Sequence, residues 1–235
     1  MICFACIAPH GELDEVPALR EAMEELGRRF DASGAETAIV VTPHNVHVEG
    51  HFAVVTAGRV GEWQTDRETA AELLRADLPI LGVSYGGNMV EQAEMPLDWG
   101  SEVPLAFMRA KQVVVVAPAR DLSLDGHIRL GEAIERLPGR HALIASADHG
   151  HTHAADGPYG YHSASVDYDE LLQRILASDR LDFRSLAGLV DDAKADSLWQ
   201  LLILQGAVGE TARADVLAYV AQSYFGMLVA EIRSR

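Results

Sequence analysis

Short apolar segments alternate with amphipathic segments along the first two thirds of the sequence, and this alternation restricts the fold more than any other feature. The clearest apolar segment is 113–117, which begins with four successive valines. Runs of four to eight apolar residues bounded by Gly or Pro are typical of strands that are buried on both faces. The same pattern predicts strands at 2–8, 38–41, 52–57, 78–83 and 142–145, with a turn at Gly86-Gly87.

Helical spacing fills the intervals between these strands. From Val16 to Phe30, apolar residues recur every three or four positions, and Pro17 stands in the first turn, which predicts an amphipathic helix. Alternating strands and helices are typical of an α/β fold in which helices flank a central, mainly parallel or mixed sheet. No repeat or linker divides the chain, so we expect one domain over 1–235. We also predict helices at 67–75, around 130–137, at 168–176 and at 198–208, and extended segments at 216–220 and 224–229.

The charge of the chain excludes several classes of partner. Asp and Glu total 35 against 19 Lys and Arg, so the net charge is −16, and such a surface repels nucleic-acid phosphates and anionic lipid. No apolar run approaches the roughly 20 residues that span a bilayer. Because no basic segment precedes Pro9, we expect no signal peptide and a cytoplasmic location. Cys3 and Cys6 lie three positions apart on a predicted strand, so we expect reduced core residues rather than a redox or zinc pair.

The positions of the ten histidines relative to the predicted strands point to a site. His10 directly follows the first strand, His44 follows the second, and His149, His151 and His153 follow a later one. Residues just beyond the carboxyl ends of strands in an open α/β sheet converge on one crevice. Neutral imidazole is both a common metal ligand and a general base. The pattern predicts a metal or acid–base site at the strand ends and leaves the choice between them open.

The other histidines are expected elsewhere. On an extended segment His47 would point away from the site, and the direction of His51 is open. His127, His141 and His162 are expected to be solvated. No Gly-x-Gly-x-x-Gly or Walker pattern occurs, so nucleotide binding is not indicated.

Several motifs occur in an order that is informative as a set. They are Pro9-His10-Gly11, Thr42-Pro43-His44, 98–105 (DWGSEVPL), 146–151 (SADHGH), 157–161 (GPYGY) and 224–230 (YFGMLVA). Together they resemble the class III extradiol ring-cleavage dioxygenase superfamily of the LigB type, and most of all its small, single-subunit members of unassigned substrate. The resemblance extends over nearly the whole chain and implies a LigB-like α/β domain of phosphorylase/hydrolase-like architecture.

What the resemblance implies is a non-haem Fe(II) enzyme that opens the ring of a small catechol or aminophenol with O2. In such enzymes two histidines and a carboxylate hold the iron, and a further histidine outside this set transfers protons. Carried over position by position, His10 and His44 match the metal histidines and His151 matches the acid–base histidine. The resemblance also implies that the protein is a homodimer and that it binds a small aromatic substrate and O2.

The carboxylate ligand is expected in the segment 191–199, where relatives have a Glu. The best register places Ala195 on that Glu and Asp196 one position later. We predict that Asp196 is the ligand, with Asp192 as the second choice. The alternative role for Asp196 is to cap the apolar helix that follows it.

Trp99 stands where many relatives have a histidine. An indole cannot transfer a proton as imidazole does, but it can stack on an aromatic ring or pack beneath the crevice. We predict substrate contacts from Trp99, His149, His153 and Tyr159, while a zinc cluster at the closely spaced histidines is an alternative. Three functions stay open: an iron dioxygenase, a non-redox zinc or manganese enzyme on the same scaffold, and an inactive protein that binds a ligand or peptide.

Overall fold

A large mixed sheet forms the centre of the protein. The computed structural model describes residues 1–13, 15–85 and 89–234, and the strands in these ranges join into one sheet. These strands are β1 (Ile2–Ala8), β2 (Thr37–Val41), β3 (Phe52–Val55), β4 (Arg59–Val60), β5 (Trp63–Thr65), β6 (Ile80–Val83), β7 (Glu94–Met95), β8 (Gln112–Ala117), β9 (His141–Ser146), β10 (Arg213–Val220) and β11 (Met227–Arg233).

Helices cover both faces of this sheet. They are α1 (Pro17–Ser33), α2 (Arg67–Leu73), α3 (Trp99–Leu105), α4 (Leu124–Glu135), α5 (Ala164–Ala177), α6 (Val190–Ala193) and α7 (Leu198–Val208), with short 3-10 turns at Val90–Gln92 and Phe183–Leu186. The predicted α/β architecture with a mixed, centrally parallel sheet is confirmed.

Four parallel strands, in the order β1-β9-β2-β8, make the middle of the sheet. The antiparallel strands β11 and β10 continue it beyond β1, and β3 pairs antiparallel with β8. The central strands are apolar throughout because each face supports its own core. In β1, Ala5 and Ile7 belong to the core that includes residues of α4, α5 and α7, whereas Phe4 and Cys6 belong to the core that includes residues of α1.

The helix α7 is buried on all sides because it lies against both the sheet and α4. The two helices approach closely at a pair of glycines. A Cβ atom at Gly131 would lie 1.9 Å from the carbonyl oxygen of Ile203, and one at Gly206 would lie 2.0 Å from that of Ile128. This close contact fixes the position of α7, whose N-terminus adjoins Asp196.

Several predicted elements differ from the structure at their ends. The strands β4, β5 and β7 were not predicted because two or three residues are too few to show a period. α5 begins at Ala164 rather than 168, and the segment 224–226 forms a turn before β11 rather than a strand. The turn predicted at Gly86-Gly87 lies outside the described residues. No helix in the described ranges has the length and apolar character needed to cross a bilayer.

The expectation that His127 and His141 are solvated is wrong. Both side chains are buried. The Nδ1 atom of His127 bonds the carbonyl oxygen of Ser123 at 2.9 Å, and its ring packs edge-on against Phe52. The Nε2 atom of His141 bonds the carbonyl oxygen of Pro138 at 2.7 Å. Local backbone acceptors therefore let these imidazoles enter the protein interior, whereas His162 is exposed as expected.

The contact between α4 and α7 gives a stability prediction. Gly131→Ala should lower the free energy of unfolding by about 1–3 kcal/mol, because the added methyl group overlaps a backbone carbonyl that cannot move freely. Urea denaturation measures the change. Gly126→Ala in the same helix is the matched control, since its Cβ would make only ordinary contacts, the nearest at 3.4 Å. Equal stability of the two variants would contradict the packing described here.

Candidate metal centre and crevice

Parallel strand ends bring three polar side chains to one edge of the sheet. Ala8 at the end of β1 is in register with Ser146 at the end of β9, and Ala145 is in register with Val41 at the end of β2. His10 and Asp148 each stand two residues beyond these ends, and His44 stands three residues beyond. The predicted convergence of His10 and His44 is therefore a consequence of strand register.

His10, His44 and Asp196 form a compact cluster of possible metal ligands. The two Nε2 atoms lie 2.9 Å apart, and Asp196 Oδ2 lies 3.3 Å from Nε2 of His10 and 3.6 Å from Nε2 of His44. Two atoms that bind one ion at about 2.1 Å, at angles of about 85° to 120°, are themselves roughly 2.8–3.6 Å apart. The spacing and the chemistry of this donor set therefore fit a divalent metal ion, and a face of two histidines and one carboxylate suits Fe(II).

Ser146 orients the ring of His10. The hydroxyl hydrogen of Ser146 is donated to the carbonyl oxygen of Gly100, so the hydroxyl oxygen accepts from Nδ1 of His10 at 3.0 Å. The proton on Nδ1 leaves the lone pair of the neutral ring on Nε2. His10 is thus presented to the cluster in the tautomer that a metal ligand requires.

Asp98 and Gly100 fix the segment that carries His44. Asp98 caps α3 by accepting the backbone N–H of Ser101 at 3.1 Å, and it also accepts the hydroxyl of Thr42 at 2.6 Å. A Cβ atom at Gly100 would lie 2.4 Å from Thr42 Oγ1, so only glycine fits there. The indole of Trp99 stacks on the His44 ring with centroids 4.3 Å apart. Trp99 is 55% exposed and lines the crevice, so it both supports a candidate ligand and remains open to a bound ring.

Asp196 reaches the cluster because the chain turns sharply after α6. Lys194 ends α6 with a left-handed φ of 53°. The Oδ1 atom of Asp196 accepts the backbone N–H of Asp148 at 3.1 Å, while α7 begins after Ser197 without a side-chain cap. The alternative of a helix-capping Asp196 is therefore not what the structure shows. Asp192, the second choice, is exposed on α6 and lies outside the cluster.

Sequence reasoning assigned no role to Asp148, which lies beside the cluster. Its carboxylate is buried, with Oδ2 3.4 Å from Nε2 of His10, and Oδ1 accepts the backbone N–H of His10 at 3.3 Å. Burial and the negative charge of Asp196 together raise the pKa of Asp148 to about 7, against the opposing effect of His10. The position was detectable, because Asp148 follows β9 at the same distance as His10 follows β1.

The buried carboxylates control the charge of the two imidazoles. Burial alone lowers the pKa of His10, but Asp148 and Asp196 outweigh this effect and raise it to about 9. Burial and the charge of His10 lower the pKa of His44 to about 4. The same positive charge on His10, against the effect of burial, lowers the pKa of Asp196. Without a metal ion, one proton on His10 therefore offsets the buried negative charge.

His151 lies in the same crevice, which has a volume of about 1110 Å³. Its Nδ1 atom donates to the carbonyl oxygen of His149 at 2.6 Å, so the lone pair of the neutral ring is on Nε2. The ring stacks on Phe225 with centroids 5.4 Å apart, and Tyr159, which is 58% exposed, also lines the crevice. Burial lowers the pKa of His151. A neutral imidazole thus stands beside the candidate metal ligands.

Two residues that are predicted to contact substrate, His149 and His153, lie outside the lining of the crevice. His149 is completely buried, and neither ring nitrogen has a partner in the described part of the chain. The side chain of His153 is 11% exposed and turns toward Asp169, with Nε2 2.8 Å from a carboxylate oxygen. Neither residue lines the crevice, because the loop backbone curves there instead of running straight. His47 and His51 also lie outside the crevice lining.

Comparison with known proteins gives a family, a curated relative and a solved structure of the same fold. The family described as the catalytic LigB subunit of aromatic ring-opening dioxygenase matches residues 8–228. A protein of Clostridium acetobutylicum, named Protein CA_C1420, is 24% identical over 236 residues, which cover 89% of this chain and 50% of that protein. The chain thus spans about half the length of this curated relative. The crystal structure of uncharacterized protein JW3007 from Escherichia coli K12 has the same fold, with a TM-score of 0.68, 14% identity, and coverage of 97% of this chain and 98% of that one.

The charge of the cluster predicts that metal affinity depends on pH. The neutral form of His10 is needed to bind an ion, and its pKa in the metal-free protein is about 9. The apparent affinity for Zn²⁺ should therefore rise by up to about tenfold per pH unit between about pH 6.5 and 8.5. Competition with a chromophoric chelator of known pH dependence measures this. His47→Ala should follow the wild-type curve and His44→Ala should lose the affinity, whereas a pH-independent affinity would contradict the charge assignment.

Proposed function

The chain belongs to the family of catalytic LigB subunits of aromatic ring-opening dioxygenases, and from that premise we propose that it is an Fe(II)-dependent extradiol dioxygenase acting on a small catechol or aminophenol. One observation carries the proposal: His10, His44 and Asp196 form a cluster of possible metal ligands, and both histidines line a crevice that His151 also lines. Membership of the family supports a dioxygenase-type enzyme, and the arrangement of these four residues supports the finer assignment.

His10, His44 and Asp196 would hold the iron, and these ligands would leave coordination positions free for substrate and O2. The ion would supply the redox and Lewis-acid chemistry that links an aromatic diolate to O2, which side chains alone cannot provide. Two imidazoles and one carboxylate also suit Zn²⁺. Turnover must therefore be compared between the iron-loaded and the zinc-loaded protein.

His151 is the residue suited to move the proton of the substrate. Ring opening requires that a catechol lose its second hydroxyl proton near neutral pH, and a histidine of lowered pKa is neutral there and can accept it. The bond from Nδ1 to the carbonyl oxygen of His149 keeps Nε2 available as the acceptor. His151 would take this proton as the substrate binds and return it to the ring-opened product.

The aromatic side chains of the crevice would hold the ring of the substrate. Trp99 and Tyr159 are largely exposed within the lining, and Phe225 supports His151 from one face. Offset stacking on such rings orients an aromatic substrate without charge. Trp99 can contribute stacking but no proton transfer, so His151 carries the acid–base work alone in this proposal. The homodimer and the cytoplasmic location implied earlier stay predictions.

Turnover with different metals tests this function. Protein reconstituted anaerobically with Fe(II) should consume O2 and form a coloured ring-opened product with at least one member of a panel of catechols and 2-aminophenols. Protein loaded with Zn²⁺, which has no redox chemistry, should consume no O2. If iron binds to His10, His44 and Asp196 and the complete panel gives no turnover, the dioxygenase proposal is wrong.

A single substitution tests the role of His151. His151→Gln should lower kcat by about 10²–10⁴-fold because the glutamine amide cannot accept the proton. Its iron content should equal that of the wild type, since His151 is outside the ligand cluster. The exposed His162→Gln is the matched control and should keep full activity. An equally active His151→Gln variant would remove His151 from the mechanism.

A further inference from the structure

A buried carboxylate lies directly beneath the loop that carries His151. Asp169 of α5 is 1% exposed. Its Oδ1 accepts the backbone N–H of Gly150 at 2.8 Å. Its Oδ2 accepts the hydroxyl of Tyr219 at 2.7 Å and lies 2.8 Å from Nε2 of His153. Two of these three donors flank His151 in the sequence. Asp169 therefore holds the loop on both sides of the candidate acid–base residue.

The loop that carries His151 runs beside the turn that carries Phe225. The two rings stack with their planes only 16° apart and their centroids 5.4 Å apart. Three backbone hydrogen bonds join the segments, from His149 N to Gly226 O at 2.8 Å, from Gly226 N to Gly150 O at 3.0 Å and from His153 N to Tyr224 O at 3.0 Å.

Asp169 also touches the second segment directly. A Cβ atom at Gly226 would lie 2.0 Å from Asp169 Oδ2, so the carboxylate occupies the space where any side chain at that position would stand. Tyr219, which donates to the same oxygen, belongs to β10, the strand that leads into this turn. One carboxylate thus contacts both segments that bring His151 and Phe225 together.

We propose that Asp169 is a positioning residue for ring cleavage, which fixes His151 and Phe225 as a stacked pair at the wall of the crevice. The inference rests on the proposed function, because it takes His151 as the acid–base group. Asp169 does not itself line the crevice, so it acts only through the loop that it holds.

The chemistry of the donors explains why a carboxylate is needed. A backbone N–H and a tyrosine O–H both point at Asp169, together with a ring nitrogen of His153 that can donate. A carboxylate accepts all of them, whereas an amide of the same shape presents its own NH2 group to at least one donor. Asparagine carries no charge, so the charge-assisted bonds that hold Gly150, His153 and Tyr219 are replaced by weaker neutral ones and the loop is held less firmly. Asp169→Asn therefore perturbs the loop with almost no change of volume.

Turnover provides the first test. Asp169→Asn should lower kcat by about 10–100-fold, the usual effect of misplacing a catalytic group through its supporting residue. The iron content should stay close to wild type, because no candidate ligand contacts Asp169, and KM for the catechol should change less than kcat, because Trp99 keeps its place. Asp167→Asn carries the same substitution at an exposed position of the same helix and should be fully active.

The NMR signal of the His151 ring provides a test that needs no turnover. Stacking on Phe225 should shift the His151 ring protons upfield, and comparison with His151→Gln assigns the signal. Asp169→Asn should move this signal toward that of an unstacked imidazole, and Asp167→Asn should leave it in place. His153→Ala, which removes one of the three hydrogen-bond partners of Asp169, should move the signal in the same direction. This variant replaces Asp169→Asn in the test if Asp169→Asn does not fold.

The two tests separate the positioning role from the proposed function. If the iron-loaded wild type gives no turnover with the complete panel but its His151 signal responds to Asp169→Asn, Asp169 still positions His151 and Phe225, and only the dioxygenase proposal fails. If Asp169→Asn folds and keeps the wild-type His151 signal, the positioning role is overturned, even when kcat falls. If that variant does not fold, an unmoved signal in His153→Ala overturns the proposal.

Discussion

The parallel pairing of β1, β9 and β2 is the constraint on which the site depends. Register places the ends of these strands at one edge of the sheet, and His10, His44 and Asp148 follow within three residues. The segments after the strands need only short turns to bring two imidazoles within 2.9 Å. Asp196 comes from the turn between α6 and α7, so the cluster joins the two halves of the chain.

Electrostatics explains why such a cluster calls for a cation. Asp148 and Asp196 are both buried, and burying a carboxylate without a partner is costly. In the metal-free protein the partner is the proton on His10, whose pKa these carboxylates raise to about 9. A divalent ion would replace that proton and satisfy the carboxylate of Asp196 and both imidazoles at once. The cluster is therefore arranged for an exchange of a proton for a metal ion.

Much of the fold and part of the site could be predicted from sequence, for identifiable reasons. Apolar periodicity located the central strands, and hence His10 and His44 at their ends, while motif order pointed to His151. Asp148 was missed although its position repeats that of His10. The directions of His149 and His153 could not be predicted, because the path of their loop depends on hydrogen bonds to Asp169, which lies on a helix further along the chain. The burial of His127 and His141 likewise depends on acceptors that the sequence does not reveal.

The most direct test of the account is a crystal structure of the protein loaded anaerobically with Fe(II), with anomalous scattering collected on both sides of the iron absorption edge. We expect one iron peak within about 2.3 Å of Nε2 of His10, Nε2 of His44 and a carboxylate oxygen of Asp196, with His151 beside the iron and not bound to it. A peak coordinated by other residues, or no peak at this cluster in protein that contains iron, would contradict it.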